Sequence, residues 1–227
     1  SSLNLGVSIK KVLVQDSKVV GVLLADDTTI ESDCVIISYP AYHAINQLFD
    51  EGIFDDDFVK HTNRLNKTTS VVEVHFALSK KLDDRQVVFP VGENYTSKGI
   101  FFISNITPSV SPQGEHLIIV GTPVKPEETD DQQRIKEIVS KMKSELSAIY
   151  PEFNSSLLWE RPMAWKLVEA VVKEPGLVWK NKMPHSVPHV KGLFFVGDST
   201  ISYGIGTDSA AHSAILAYPK ISKFLVS

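Results

Sequence analysis

The stretch that most constrains this chain lies near its C-terminus, where Gly192 to Tyr218 read GLFFVGDSTISYGIGTDSAAHSAILAY. A run of five apolar-compatible residues is long enough for one buried strand and too short for a helix. It ends in Gly197-Asp198, passes through a loop carrying Gly204 and Gly206, and enters an alanine-rich segment that starts near Thr207 or Asp208. That order places a strand's carboxyl end, a loop able to approach a ligand closely, and a helix N-terminus in succession. Open α/β sheets bind ligands at such strand ends, and a helix N-terminus offers unpaired N–H groups to an anion or carbonyl. Asp198 has the chemistry to accept hydrogen bonds from sugar hydroxyls, and Ala210, Ala211, Ala214 and Ala217 form a small-residue face suited to tight packing on a sheet or cofactor. The motif is not a dinucleotide fingerprint of the G-x-G-x-x-G type, because the third glycine position is Ser209. On spacing alone two readings stay open: a purely structural strand, turn and helix with Asp198 as a capping residue, or a ligand site.

The rest of the chain reads as mixed α and β. Val7 to Val14 and Lys18 to Leu24 are β-branched runs about the polar turn Gln15-Asp16-Ser17, a hairpin signature. After a second turn at Asp26-Asp27, the continuous apolar run Cys34 to Ile37 predicts a strand buried on both faces. Pro40 suits the first position of a helix, with Ala41, Ala44, Ile45 and Leu48 on one face. Strands are expected at Val71 to Leu78, Val87 to Val91, Ile100 to Ile103 and His116 to Val120. Asp130 to Tyr150 is the clearest helix, its stripe formed by Ile135, Ile138, Val139, Met142, Leu146 and Ile149, with Thr129 or Asp130 as cap and Pro151 as stop. The proline-bearing stretch from Pro162 to Pro188 predicts irregular structure with at most one strand.

Composition excludes several classes. With 43% hydrophobic and 22% charged residues the chain is neither disordered nor a coiled coil. A net charge of −4 carries no footprint of nucleic-acid binding. No apolar run approaches the roughly 18 residues of a membrane span. The single cysteine, Cys34, excludes an intrachain disulfide framework and fits a reducing compartment, so a cytoplasmic location is expected. Its place in an apolar run predicts a packed small hydrophobe. His185 and His189 are four apart, but Pro184 and Pro188 forbid the helix that would align them, and no metal site is expected. His43 and His212 are expected to be structural. Trp159, Trp165 and Trp179 are core residues first and candidates for lining an apolar cavity second.

The C-terminal stretch resembles the flavin-binding motif of the FAD-dependent amine oxidase and phytoene desaturase superfamily, in which a strand ends in Gly-Asp before a glycine loop and helix. By position Gly197, Asp198, Gly206 and Thr207 match. The front of the chain, VSIKKVLVQDSKVVGVLLADDTTIESDCVIISYPAYHAINQLF, is similar to the family segment whose first strand touches adenine, at the position of Ile9, and whose loop Ser38-Tyr39-Pro40 passes near the cofactor. In the middle, PSVSPQGEHLIIV and the later YPEF resemble the phytoene desaturase branch. The resemblance implies an α/β (α+β) fold: an incomplete FAD-binding Rossmann-like layer from residues 1–40 and 190–227, with a mixed or antiparallel-sheet substrate-binding domain, 41–189, inserted. It implies an enzyme, an FAD-dependent oxidoreductase taking hydride from C–H bonds of an apolar small molecule, with no acid or base to nominate. Family members begin with a β-α-β unit carrying G-x-G-x-x-G, and nothing in these residues supplies it. The chain therefore reads as the C-terminal part of a longer flavoprotein, one that by itself is inactive and binds FAD weakly or not at all. The alternatives are an amine-oxidase-like or protoporphyrinogen-oxidase-like enzyme, a cofactor-less binding module that keeps the fold, and a domain that contacts a membrane peripherally to fetch lipid-like substrate.

Overall fold

A computed structural model describes residues 2–173, 175–187 and 189–226. They form two units, one of residues 1–68 and 169–227, the other of residues 69–168. The architecture is the expected mixture of helices with a short parallel pair and antiparallel sheets. The boundaries expected after residue 40 and before residue 190 both fall inside the first unit. Residues 41–68 and 169–189 pack in its core through Ala41, Ala44, Ile45, Leu65, Val171, Leu177 and Met183.

In the first unit β1 (Ile9–Gln15) and β2 (Lys18–Leu24) pair antiparallel, with β3 (Thr29–Glu31) on the far side of β2. Asp16 and Ser17 take φ of 49° and 59°, the mirror-image turn whose twist matches a hairpin. The apolar run after Ser32 becomes β4 (Val35–Ile37), which leaves the hairpin sheet and pairs in parallel with β10 (Leu193–Phe195). Val35, Ile36 and Ile37 face Leu193, Phe194 and Phe195 in register. Burial on both faces is not what β4 shows. Ile37 is buried but Ile36 is 49% exposed: the described sheet is only two strands wide, and on the face of Ile36 it is the paired Phe194, 5% exposed, that packs on Phe224 of the closing helix. Cys34 beside it is half-buried, and burial pushes its thiol pKa up.

Helix α1 (Ala41–Gln47) follows β4, with Pro40 just outside as its cap residue and Ala41, Ala44 and Ile45 buried. The sequence reading assigns nothing to α2 (Asp56–Asn63), whose start is fixed by Asp55 accepting the Phe58 N–H at 2.8 Å. The closing helix α6 (Gly206–Leu225) is longer than expected and continues through Pro219. Its buried stripe is Ser209, Ser213 and Ala217 rather than the alanine set, since Ala211 and Ala214 are exposed.

The second unit is a five-stranded sheet in the order β6 (Val87–Val88), β7 (Gly99–Phe102), β8 (His116–Val124), β5 (Thr69–Leu78), β9 (Leu157–Glu169). Two one-turn helices, α3 (Ile103–Ile106) and α5 (Phe153–Ser156), serve as connections. One sheet face, with Val72, Val74, Phe76, Ile100, Phe102, Ile118 and Val120, packs on the apolar stripe of α4 (Gln132–Ile149). The helix is capped by Asp131, whose carboxylate accepts N–H groups of Gln133 and Arg134, one residue beyond the expected caps. The stretch from Pro162 onward, expected to hold at most one strand, supplies the last eight residues of β9, at 13 residues the longest described strand. Pro162 is tolerated there because β9 is an edge strand, where a missing N–H costs no ladder bond. Tyr150, ending α4, donates to Asp83 at 2.9 Å, and Arg85 beside that carboxyl holds it far below the usual carboxylate range. Among the described residues no helix is long and apolar enough to cross a membrane.

Candidate functional site

The carboxyl ends of β4 and β10 lie side by side because the two strands are parallel and in register. The Val196 N–H extends the ladder to the Ile37 carbonyl at 2.9 Å. The next residue, Gly197, adopts φ +120°, and a Cβ there would sit 3.5 Å from the Ser38 carbonyl oxygen. Only glycine takes this conformation without strain, so the two chain segments meet as bare backbone. Beyond it, Ser199 Oγ accepts the Ala41 N–H at 3.1 Å, tying the loop after β10 to the start of α1. Of the residues singled out in the sequence, Ser38, Pro40, Gly197 and Asp198 are thus brought to one edge. Tyr39 in the same loop is 45% exposed and lies against His43, with its hydroxyl 3.4 Å from Gln47 Oε1. Ile9 is elsewhere: it opens β1, opposite Leu24, in the hairpin sheet.

Helix α6 is locked onto this edge through its buried hydroxyls. Ser213 Oγ accepts the Gly197 N–H at 3.0 Å and shares a hydrogen bond with Thr200, which also donates to the Gly197 carbonyl at 2.7 Å. The helix begins at Gly206 with φ +51°, preceded by Ile205 as its cap residue. No side-chain hydrogen bond caps it, its first turn carries the acidic Asp208, and Glu169 Oε1 lies 3.8 Å from where a Cβ on Gly206 would sit. Asp198 points one carboxylate oxygen, Oδ2, at the Ala170 N–H, 2.8 Å away. It therefore orients the segment leaving β9, and its Oδ1 has no hydrogen-bond partner among the described residues.

The organising residue that the sequence reading misses is Lys182. It is 1% exposed, and its ammonium donates to the Asp198 carbonyl (3.0 Å), Ser202 Oγ (2.6 Å) and Ser209 Oγ (3.0 Å). Three N–H bonds meet three acceptors, one before the glycine loop, one within it and one in the first turn of α6. Burial, followed by the nearby Lys173 charge, pushes its pKa down to about 8. A single lysine between Asn181 and Met183 carries no periodic signal, so only its contacts reveal it. Trp179, three residues earlier, holds φ +52° and stacks on Tyr203 at a ring separation of 3.5 Å. The Tyr203 N–H donates to His212 Nδ1 at 2.9 Å. His212 thus braces the loop, and Trp179 is a wall of a cavity of ≈ 340 Å³ with Val178, Tyr203 and Ile205 rather than a core residue.

His185 is 2% exposed and its Nε2 has no partner among the described residues; burial lowers its pKa. His189 lies in a turn with φ +69°, while Pro188, invoked above against a metal-binding helix, lies outside the described residues. Among the described residues no group of three or more His, Cys, Asp or Glu is placed to hold a metal ion.

In the first unit the parallel pair β4–β10 ends in Gly197-Asp198, followed by the loop that opens α6. The sequence matches the family model "Flavin containing amine oxidoreductase" over residues 1–217, and the chain belongs to that family. The fold is similar to an oxidoreductase from Methanosarcina mazei (TM-score 0.73, 18% identity, covering 94% of this chain and 49% of that one). It is also similar to the PF1083 protein from Pyrococcus furiosus (TM-score 0.64, 18% identity, 95% and 46%). Putrescine oxidase bound to putrescine gives a TM-score of 0.65 at 11% identity, over 97% of this chain and 49% of that one. At such identities the likeness is one of fold. The chain spans about half the length of these structures. No curated protein matches the sequence.

Proposed function

We propose that this chain supplies the later cofactor-facing pieces and the substrate-binding unit of an FAD-dependent oxidoreductase of the phytoene-dehydrogenase kind, acting on an apolar small molecule. The observation that carries the reading is the uncapped start of α6 held against Gly197-Asp198 at the carboxyl ends of β4 and β10. The residues fit a flavin nucleotide. Gly197 leaves bare backbone beside Ser38, Asp198 keeps a free carboxylate oxygen for a hydroxyl, and the α6 N-terminus offers N–H groups to an electron-rich ring edge. Ser38, Tyr39, Pro40, Gly197 and Asp198 hold the cofactor in this reading, Gly206 and Thr207 meet its ring, and Ile9 borders the adenine side. FAD supplies the acceptor for a hydride leaving a substrate C–H bond, and the protein's part is to bind, orient and exclude water. Lys182 fixes the loop and helix start in one geometry, so that the N–H groups of α6 are preorganised before a ligand arrives.

An apolar substrate is favoured by the second unit. Trp159 and Trp165 are not in its core but half exposed on β9, with Leu167 39% exposed beside them. The test uses the full-length protein, flavin-loaded and without oxygen, mixed with an apolar polyene or an aliphatic amine. Bleaching of the flavin band by the polyene alone is the expected result. Bleaching by the amine alone moves the activity to amine oxidation.

A further inference from the structure

The apolar stripe of α4 is sealed along its second half and open along its first. Met142 and Leu146 are fully buried, whereas Ile135 and Val139 keep 9% and 8% exposure at the margin of the same core. The cause lies in β9. Strand alternation turns its even residues toward the helix, since Ala164 packs on the core and Glu160 pairs with Lys143. That row reads Glu160, Pro162, Ala164, Lys166, with long side chains at its ends and short ones between. The long ones cross to the helix side: Glu160 meets Lys143 at 2.5 Å, and Lys166 meets Asp130 at 2.5 Å. The two bridges stand about 20 Å apart along the strand and about 20 Å apart along α4 and the residues that lead into it. Between them Pro162 is too short to cover Ile135 and Val139, and a trough of ≈ 470 Å³ remains. That volume falls within the roughly 300–1,000 Å³ of small-molecule sites.

The trough has an apolar floor and a polar wall of one sign. Gln132, Lys136 and Ser140 are spaced four apart, so they form one row of the helix beside Ile135 and Val139. They offer an amide, an ammonium and a hydroxyl, all of them donors. The one carboxylate that lines the trough, Glu160, is already neutralised by Lys143. The other acids near this end of α4, Glu128 and Glu137, are taken by Arg134. Lys136 is left without an acidic partner among the described residues.

We infer that this trough binds a single linear amphiphile with an anionic head, its chain laid along Ile135, Val139 and Pro162 and its head on the Lys136 ammonium. Chain burial over the floor favours any apolar tail by the same amount. The head group then decides, because a carboxylate on Lys136 makes a charge-assisted hydrogen bond and a neutral hydroxyl makes an ordinary one. The ion pairs that close both ends suit one free chain rather than a membrane leaflet.

The probes are octanoate, octanol and octylammonium, which share one chain and differ in head-group charge. Binding is followed by the methyl NMR signals of Ile135 and Val139 in the 227-residue chain, which report on this trough alone. Octanoate is expected to shift both signals saturably and to bind about tenfold tighter than octanol, with octylammonium weakest. Lys136→Met, a change at an exposed helix position, is expected to bring octanoate down to the octanol value and leave octanol unchanged. Lys136→Arg is expected to keep the preference, and Ser140→Phe, which fills the trough, to weaken both probes. Equal affinities for octanoate and octanol, or a preference that survives Lys136→Met, overturn the inference. Octanoate shifts confined to other parts of the chain, with Ile135 and Val139 unmoved, overturn it as well.

Discussion

Lys182 is the residue whose burial asks most of its surroundings. A buried ammonium is tolerated only with its protons matched, and here each meets an oxygen. Replacing it by methionine keeps the bulk and removes three donors, leaving two buried hydroxyls and a carbonyl to find other partners. Lys182→Met is expected to destabilise the protein by about 1–3 kcal/mol, read from urea unfolding. Its pKa gives a second signature. The folded value near 8 lies below the 10.5 of the free side chain, so between those values the unfolded chain binds more protons than the folded one. Stability from this group therefore rises with pH across that window, by at most about 1.4 kcal/mol per pH unit. The urea midpoint of the parent protein should climb from pH 8 to 10 relative to Lys182→Met, and parallel profiles would show that Lys182 does not titrate there. Lys182 was not legible in the sequence. The three partners of Lys182 lie 16 to 27 positions away, and no local pattern encodes such contacts.

At the scale of elements, amphipathic stripes were legible and their ends were not. The α4 stripe is the expected one, but its cap is Asp131 and not the expected Thr129 or Asp130, because all three residues have capping side chains and only backbone geometry selects among them. Asp131→Ala is expected to cost about 1 kcal/mol. Asp130→Ala, which loses only an exposed ion pair with Lys166, should cost less than about half of that. Equal losses in thermal unfolding would contradict the assignment. Strand β9 shows the opposite case, since proline reads as a breaker until the strand's place at the sheet edge is known. In α6 the alanines suggested the packing face, yet the serines take it because Gly197 and Lys182 need hydroxyl partners.

For the whole molecule, the pairing of β4 with β10 is the decisive contact, joining segments 158 positions apart in register. Periodicity marked both as short apolar strands, and only the resemblance of both chain ends to one cofactor layer suggested that they belong together. In the proposed function α6 presents its N-terminus to a flavin. Thr207→Asp tests it most directly, because an acidic residue in the first turn favours the helix while opposing an electron-rich ligand. The measurement is flavin retained per chain after gel filtration of the full-length protein, with the melting temperature of the flavin-free form taken alongside. A flavin-bearing parent is expected, and a Thr207→Asp variant whose flavin affinity falls at least about tenfold with its melting temperature unchanged or raised. A variant that keeps flavin at the parent's stoichiometry and affinity, or a colourless parent, would contradict it.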